Sequence, residues 1–152
     1  MILDYRKLTA DYFRSSGRPL VVACGCFDLL TVGHVRHLRA AKDLGCLLVL
    51  VTADQHVNKG SNRPIFSQEV RAEMVDALRC VDYTVINPYP TAVEAIHTVL
   101  PQVYVKGREY RDSATIALLD ETSAVLSVGG RLEFVDSVEM HTTEVLEKLG
   151  CK

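Results

Sequence analysis

The sequence predicts one α/β domain: a doubly wound, mostly parallel sheet of five strands with helices on both faces. Three observations lead there. Short β-branched runs alternate with amphipathic segments along the whole chain, the pattern of repeated β-α units. The 152 residues are 48% apolar and 24% charged, enough to bury one core and too few for two. No internal repeat, linker or low-complexity tract divides the chain, so residues 1–152 read as a single domain.

The elements follow in order. A polar-amphipathic helix runs from about Tyr5 to Arg14, within residues 4–15, and ends at Ser15-Ser16-Gly17. Leu20 to Cys24 is the first buried strand. The helix from Gly33 to Leu44 buries Val35, Leu38, Ala41 and Leu44, and Gly45 stands where a left-handed C-cap is wanted. Cys46 to Thr52 is the second strand. Ala53 to Phe66 is polar and too long for a tight turn, which marks a functional loop. Ser67 caps a helix presenting Val70, Met74, Ala77 and Leu78, and Val81 to Ile86 is the third strand. Thr91 with Glu94 forms a capping box for a helix burying Val93, Ile96 and Leu100, which Pro101 stops. Val103 to Val105 is the fourth strand. A helix from about Thr115 to Ser127, closed by Gly129-Gly130, leads to the fifth strand at Leu132 to Val135, and Thr142 or Thr143 caps a last helix through Leu149.

Composition narrows the function classes. Seventeen Lys and Arg against nineteen Asp and Glu give a net charge of −2 without like-charge blocks, which disfavours nucleic acid as a partner. No apolar run approaches the roughly 20 residues of a membrane span, and Asp4 interrupts any signal-peptide core, so the expected location is the cytoplasm. Five cysteines at irregular spacing, with no C-x-x-C, fit a reducing compartment. Cys24 and Cys26 share a strand face, but a buried thiol and a small residue beside a ligand loop explain them better than a redox pair. His34 and His37, spaced H-x-x-H, lack a third ligand and do not read as zinc.

The chemistry concentrates in Gly25-Cys26-Phe27-Asp28-Leu29-Leu30-Thr31-Val32-Gly33-His34, where the first strand ends and a helix begins. Ligands of open α/β sheets bind at that end, and a helix N-terminus favours phosphate. Gly25 and Gly33 let backbone approach a ligand, yet neither of the common glycine-rich phosphate motifs is present.

This segment resembles the signature G-x-F-D-x-x-[HT]-x-G-H of the cytidylyltransferase-like nucleotidyltransferases, which have a Rossmann-like fold. The resemblance extends from about Pro19 to Leu149, through Val51-Thr52-Ala53-Asp54, Arg63-Pro64, Glu69-x-Arg71, Val81-Asp82, Val105-Lys106-Gly107 and Thr142-Thr143. Val105 to Tyr110 and Gly129-Gly130 look most like members that adenylylate heptose 1-phosphate. The arginine of glycerol-3-phosphate and choline-phosphate cytidylyltransferases is missing from Asp136 to Thr143. Two positions depart from the sugar-phosphate pattern: Thr31 replaces the first histidine, as in pantetheine-phosphate adenylyltransferases, and His141 stands where a small serine is usual.

The resemblance implies attack of a substrate phosphate oxygen on the α-phosphorus of a nucleoside triphosphate, AMP transfer being preferred, with pyrophosphate leaving. The partners implied are the triphosphate and a phosphorylated small-molecule acceptor, with Mg²⁺ carried mainly on phosphate oxygens and a homodimer as the assembly. Gly25, Cys26, Phe27, Asp28, Gly33, His34, Asp54, Lys106, Gly107, Thr142 and Thr143 are expected around the nucleotide. His34 holds an α- or β-phosphate oxygen, as imidazolium or as an N–H donor, and Thr31 adds a neutral donor. Lys59 swings over the triphosphate or is a solvated loop lysine. Arg63 or Arg71 clamps a phosphate, Arg71 otherwise pairing at the surface with Glu69 or Glu73. Asp28 binds Mg²⁺ or orients a basic residue; Arg108 and Tyr110 are acceptor-side candidates, and Glu121 faces a partner subunit or substrate or, by default, is surface charge. The rival readings are a cytidylyltransferase on a sugar, polyol or amino-alcohol phosphate, a nucleotide sensor without turnover, and a flavodoxin-like domain.

Overall fold

The computed structural model describes residues 1–113, 115–136 and 148. Its sheet has six strands: β1 (Ile2–Leu3), β2 (Leu20–Gly25), β3 (Cys46–Thr52), β4 (Tyr83–Asn87), β5 (Val103–Gly107) and β6 (Arg131–Val135). They lie in the order β1-β4-β3-β2-β5-β6 with every neighbouring pair parallel. The helices are α1 (Ala10–Arg14), α2 (Val32–Asp43), α3 (Gln68–Asp76), α4 (Val93–Val99) and α5 (Ile116–Ser127). Of the last helix expected from sequence, all but Lys148 lies outside the described residues.

The central strands are buried on both faces, which is why they read as continuous apolar runs. Val21 to Ala23 and Leu47 to Val51 have no exposed surface. On one face Val22, Leu48, Leu50, Val85 and Tyr104 pack with Phe13, Ile96 and Val125 of α1, α4 and α5. On the other, Val21, Val49, Val51 and Val105 pack with Leu38 and Ala41 of α2 and Ala72 and Val75 of α3. Consecutive strands run outward from β2 to β3 and β4, then β5 returns to the opposite side of β2. The order therefore reverses between β2 and β5, where open α/β sheets hold their ligands.

Several expectations need correction. The sixth strand, β1, pairs only Ile2 and Leu3 with Thr84 and Val85, too short a segment to show any periodicity. The first helix is broken: a 3₁₀ turn at Tyr5–Lys7 is followed by extended backbone at Leu8 and Thr9 before α1. Leu8 is buried at this break, so core packing outweighs helical continuity. The buried face of α3 is Arg71, Ala72 and Val75, while Val70 is exposed. The N-terminus of α4 is not closed by a Thr91–Glu94 box; Ala92 N–H instead donates to Glu121 Oε1 of α5 at 3.0 Å.

Gly45 is needed for a different reason from the expected left-handed cap. The helix ends at Leu44 with φ −80°, and a Cβ on Gly45 would collide with the Pro19 carbonyl oxygen and the Val21 side chain. Cys46 N–H bonds that same Pro19 carbonyl at 2.8 Å, fixing the start of β3 on β2. Gly45→Ala is expected to cost about 1–3 kcal/mol through this overpacking, read as a lowered midpoint in urea.

Candidate active site

The Gly25–His34 signature leaves the carboxyl end of β2 where the strand order reverses toward β5, the place at which such sheets form a ligand crevice. Phe27 turns the chain out of β2 with φ 52°, in the left-handed region, and its ring packs back over Gly25, where a Cβ would lie 3.0 Å from it. The same ring meets His34 edge-on, with centroids 5.4 Å apart. Burial of Phe27 at 5% exposure holds this unusual backbone in place.

Thr31 is the N-cap of α2 and His34 its third helical residue, and the two are joined as a capping box. Thr31 N–H donates to His34 Nδ1 at 3.1 Å, and Thr31 Oγ1 lies 3.0 Å from the same nitrogen. A backbone N–H is always a donor, so in this arrangement Nδ1 accepts and the ring is neutral with its proton on Nε2. Of the two states left open by sequence, the local geometry supports the N–H donor. Thr31 acts here through the histidine's tautomer and orientation.

Asp28 holds the long loop down. It is 2% exposed and accepts from Arg63 Nε at 2.5 Å, Ile65 N at 2.7 Å and Phe66 N at 3.2 Å. Asp28 is thus paired with a basic residue, Arg63. Burial alone would raise its carboxyl pKa, but the Phe66 and Ile65 amides and the Arg63 guanidinium outweigh burial and leave it below the usual value. A lowered folded pKa contributes stability above the unfolded value, lost as pH falls through the folded one. Asp28→Asn is therefore expected to cost about 2 kcal/mol near neutrality. Its penalty should fade in acid, as thermal melts across pH would show.

Arg71 does not offer its fork to a ligand or pair at the surface. It is fully buried, donating from Nε to Phe66 O (3.0 Å), from Nη1 to Cys26 O (2.5 Å), and from Nη2 to Thr52 O (2.8 Å) and Asp54 Oδ1 (2.6 Å). It thus ties the ends of β2 and β3 to the loop before α3. Asp54 is consequently ion-paired and also takes part in the loop through its N–H, which donates to Gln68 Oε1.

At the end of β5, Lys106 pairs with Glu121 Oε2 at 2.9 Å, its side chain 15% and that of Glu121 5% exposed. Glu121 is thus a buried partner and not surface charge. Arg108 pairs with Asp136 at 2.8 Å, both exposed. Tyr110 and Lys59 are exposed, Lys59 standing beside Gly60 at φ 105°. Thr142, Thr143 and His141 lie outside the described residues. Cys24 is half-buried, and desolvation pushes its thiol up to about 11; no disulfide forms among the described cysteines. Among the described residues no three His, Cys, Asp or Glu side chains gather to hold a metal ion, and no helix is long and apolar enough to cross a membrane.

Sequence reasoning reached the signature but missed Glu121 and the work of Arg71. Glu121 recurs with Leu118, Ala124 and Val125 on the buried side of α5, and a charged residue at such a position is the available signal of a buried partner.

A family model described as cytidylyltransferase-like matches residues 22–148. The chain is 39% identical over 140 residues to the bifunctional protein HldE of Syntrophotalea carbinolica and 40% identical over 140 residues to that of Geotalea uraniireducens. Each match covers 90% of this chain and 28% of the relative, so the chain spans little more than a quarter of these proteins. Among solved structures, a lipopolysaccharide core biosynthesis protein from Thermoplasma volcanium superposes with a TM-score of 0.65 at 26% identity, covering 82% of this chain and all of that one. A pantothenate synthetase from Thermus thermophilus shares the fold with a TM-score of 0.55 at 16% identity, over 92% of this chain and 63% of its own.

Proposed function

The chain belongs to the cytidylyltransferase-like family of nucleotidyltransferases, and from that premise we propose that it transfers AMP from ATP to a phosphorylated small molecule, a sugar 1-phosphate of the heptose type, releasing pyrophosphate. The observation that carries the reading is the Gly25–His34 signature at the strand-order reversal, with His34 fixed as an Nε2–H donor by the Thr31 backbone. Both reactants arrive as anions, the acceptor already bearing its nucleophilic oxygen, so positioning and charge stabilisation supply the rate.

In this reading His34 Nε2–H bonds an α- or β-phosphate oxygen and strengthens that bond as charge moves toward the departing pyrophosphate. Arg63, set by Asp28 through Nε, presents its terminal nitrogens to a phosphate, while Arg71 supports the same loop from beneath. Lys59 closes over the triphosphate from the loop, and Lys106 with Gly107 borders the nucleotide from β5. Thr142 and Thr143 are proposed nucleotide contacts, and Arg108 and Tyr110 acceptor contacts, all on the resemblance alone. A divalent metal, Mg²⁺ in this proposal, enters on the phosphates of the nucleotide substrate. Working as a homodimer in the cytoplasm belongs to the same proposal.

The test is pyrophosphate release with ATP, CTP, GTP or UTP and Mg²⁺ against heptose 1-phosphate, glycerol 3-phosphate and phosphocholine. Release with ATP and the sugar phosphate supports the proposal, and release with CTP instead replaces it with cytidylyl transfer. Nucleotide-dependent thermal stabilisation without release for any pair would favour a sensor.

A further inference from the structure

Lys106 carries a charge in an unusual setting. Its ammonium lies 5.3 Å from the Tyr104 ring centroid and 5.4 Å from that of Tyr110, with Glu121 Oε2 at 2.9 Å. The second oxygen of Glu121 is held by the Ala92 N–H at the start of α4, so the carboxylate cannot follow the lysine if it moves. Lys106 shares its sheet face with Tyr104, on the side covered by α4 and α5, whereas His34 comes from α2 on the opposite side. The two groups flank the β2–β5 crevice from its two faces.

We propose that Glu121 is a positioning residue for nucleotide binding: anchored on the Ala92 N–H, it fixes the Lys106 ammonium at the β5 side of the crevice, in its charged form, to meet an anionic group of the bound triphosphate. The inference rests on the nucleotidyltransferase reading. The groups facing Lys106 are Glu121 from α5, Cys24 from β2, Tyr104 from its own strand and Tyr110 from the turn after it, while His37 of α2 feels its charge from the other side of the sheet. Burial draws the lysine pKa down, and the Glu121 carboxylate outweighs it, leaving the pKa above the usual lysine value. Burial keeps the Cys24 thiol and the Tyr104 hydroxyl neutral through the alkaline range, and it also lowers His37, which stays neutral there. Without the Glu121 charge, burial dominates and the ammonium loses its proton at lower pH.

The experiment is calorimetric titration of the full chain with Mg-ATP and Mg-CTP at pH 7.5 and 9.5, for wild type, Glu121→Gln, Glu121→Asp, Lys106→Met and the double variant Glu121→Gln/Lys106→Met. Wild type should bind one nucleotide with little change between the two pH values. Glu121→Gln should bind about tenfold more weakly at pH 9.5 than at 7.5, the loss expected when the lysine pKa falls to one unit below the higher pH. Glu121→Asp should restore part of the alkaline binding, and Glu121→Gln should add no further loss on the Lys106→Met background. The double variant removes both charges, so it keeps the proposal testable if the single one folds poorly. Binding by wild type with no pH step in Glu121→Gln would overturn this inference alone. Failure of wild type to bind either nucleotide would overturn it together with the functional reading.

Discussion

Replacing His34 with alanine is expected to lower kcat by about 100- to 1000-fold while changing the KM for nucleotide little, the signature of a donor that matters most as charge develops. The structural reason is directional. Thr31 N–H donates to Nδ1 at 3.1 Å, so a proton that the neutral ring donates is the one on Nε2. Alanine also uncaps Thr31, at about 1 kcal/mol by the usual cost of a lost cap. His34→Gln separates the two effects, because glutamine at this position closes a capping box. It should recover the melting temperature and leave most of the rate loss. A Gln variant as active as wild type would show that the imidazole serves the helix and not the transfer.

The second large effect is at Arg71. Arg71→Met is expected to destabilise the fold by about 3–5 kcal/mol, chiefly because it leaves the carbonyl oxygens of Cys26, Thr52 and Phe66 without the buried guanidinium that meets them, the half-exposed Asp54 being able to turn to water. Activity should fall with it, because Cys26 belongs to the signature and Phe66 to the loop that Asp28 holds. Arg71→Lys should recover only part of the stability: one ammonium cannot span Phe66, Cys26, Thr52 and Asp54, which the guanidinium reaches from three nitrogens. Urea unfolding alongside kcat/KM decides the matter. Full stability with lost activity would return Arg71 to the phosphate clamp.

What was legible in the sequence was what repeats or punctuates. The runs at Val21 and Leu47 announce strands buried on both sides, and Thr31 through His34 announces a helix start. Two-residue β1 has no period to read, and Leu8 breaks the first helix by packing that only the folded core supplies. The same limit governs the site. Arg71, one position from exposed Val70 on α3, is indistinguishable in sequence from a surface arginine until the ends of β2 and β3 converge on it. Asp28 and Arg63 stand 35 residues apart, and Lys106 meets Glu121 across β5 and α5; pairs of this kind belong to tertiary geometry.

The loop bound by Asp28 and Arg71 also separates two properties that usually travel together. Ile65 and Phe66 are 46% and 37% exposed, yet their amides are spent on a buried carboxylate and the Phe66 carbonyl on a buried guanidinium. Neither amide can meet solvent base until Asp28 lets go, and that requires three chain segments to part together. In deuterium exchange these two residues should report the cooperative opening of the mouth of the sheet, exchanging far more slowly than Ser61 or Asn62 a few residues earlier. Side chains turned to water would then sit on one of the slower-breathing stretches of backbone in the molecule.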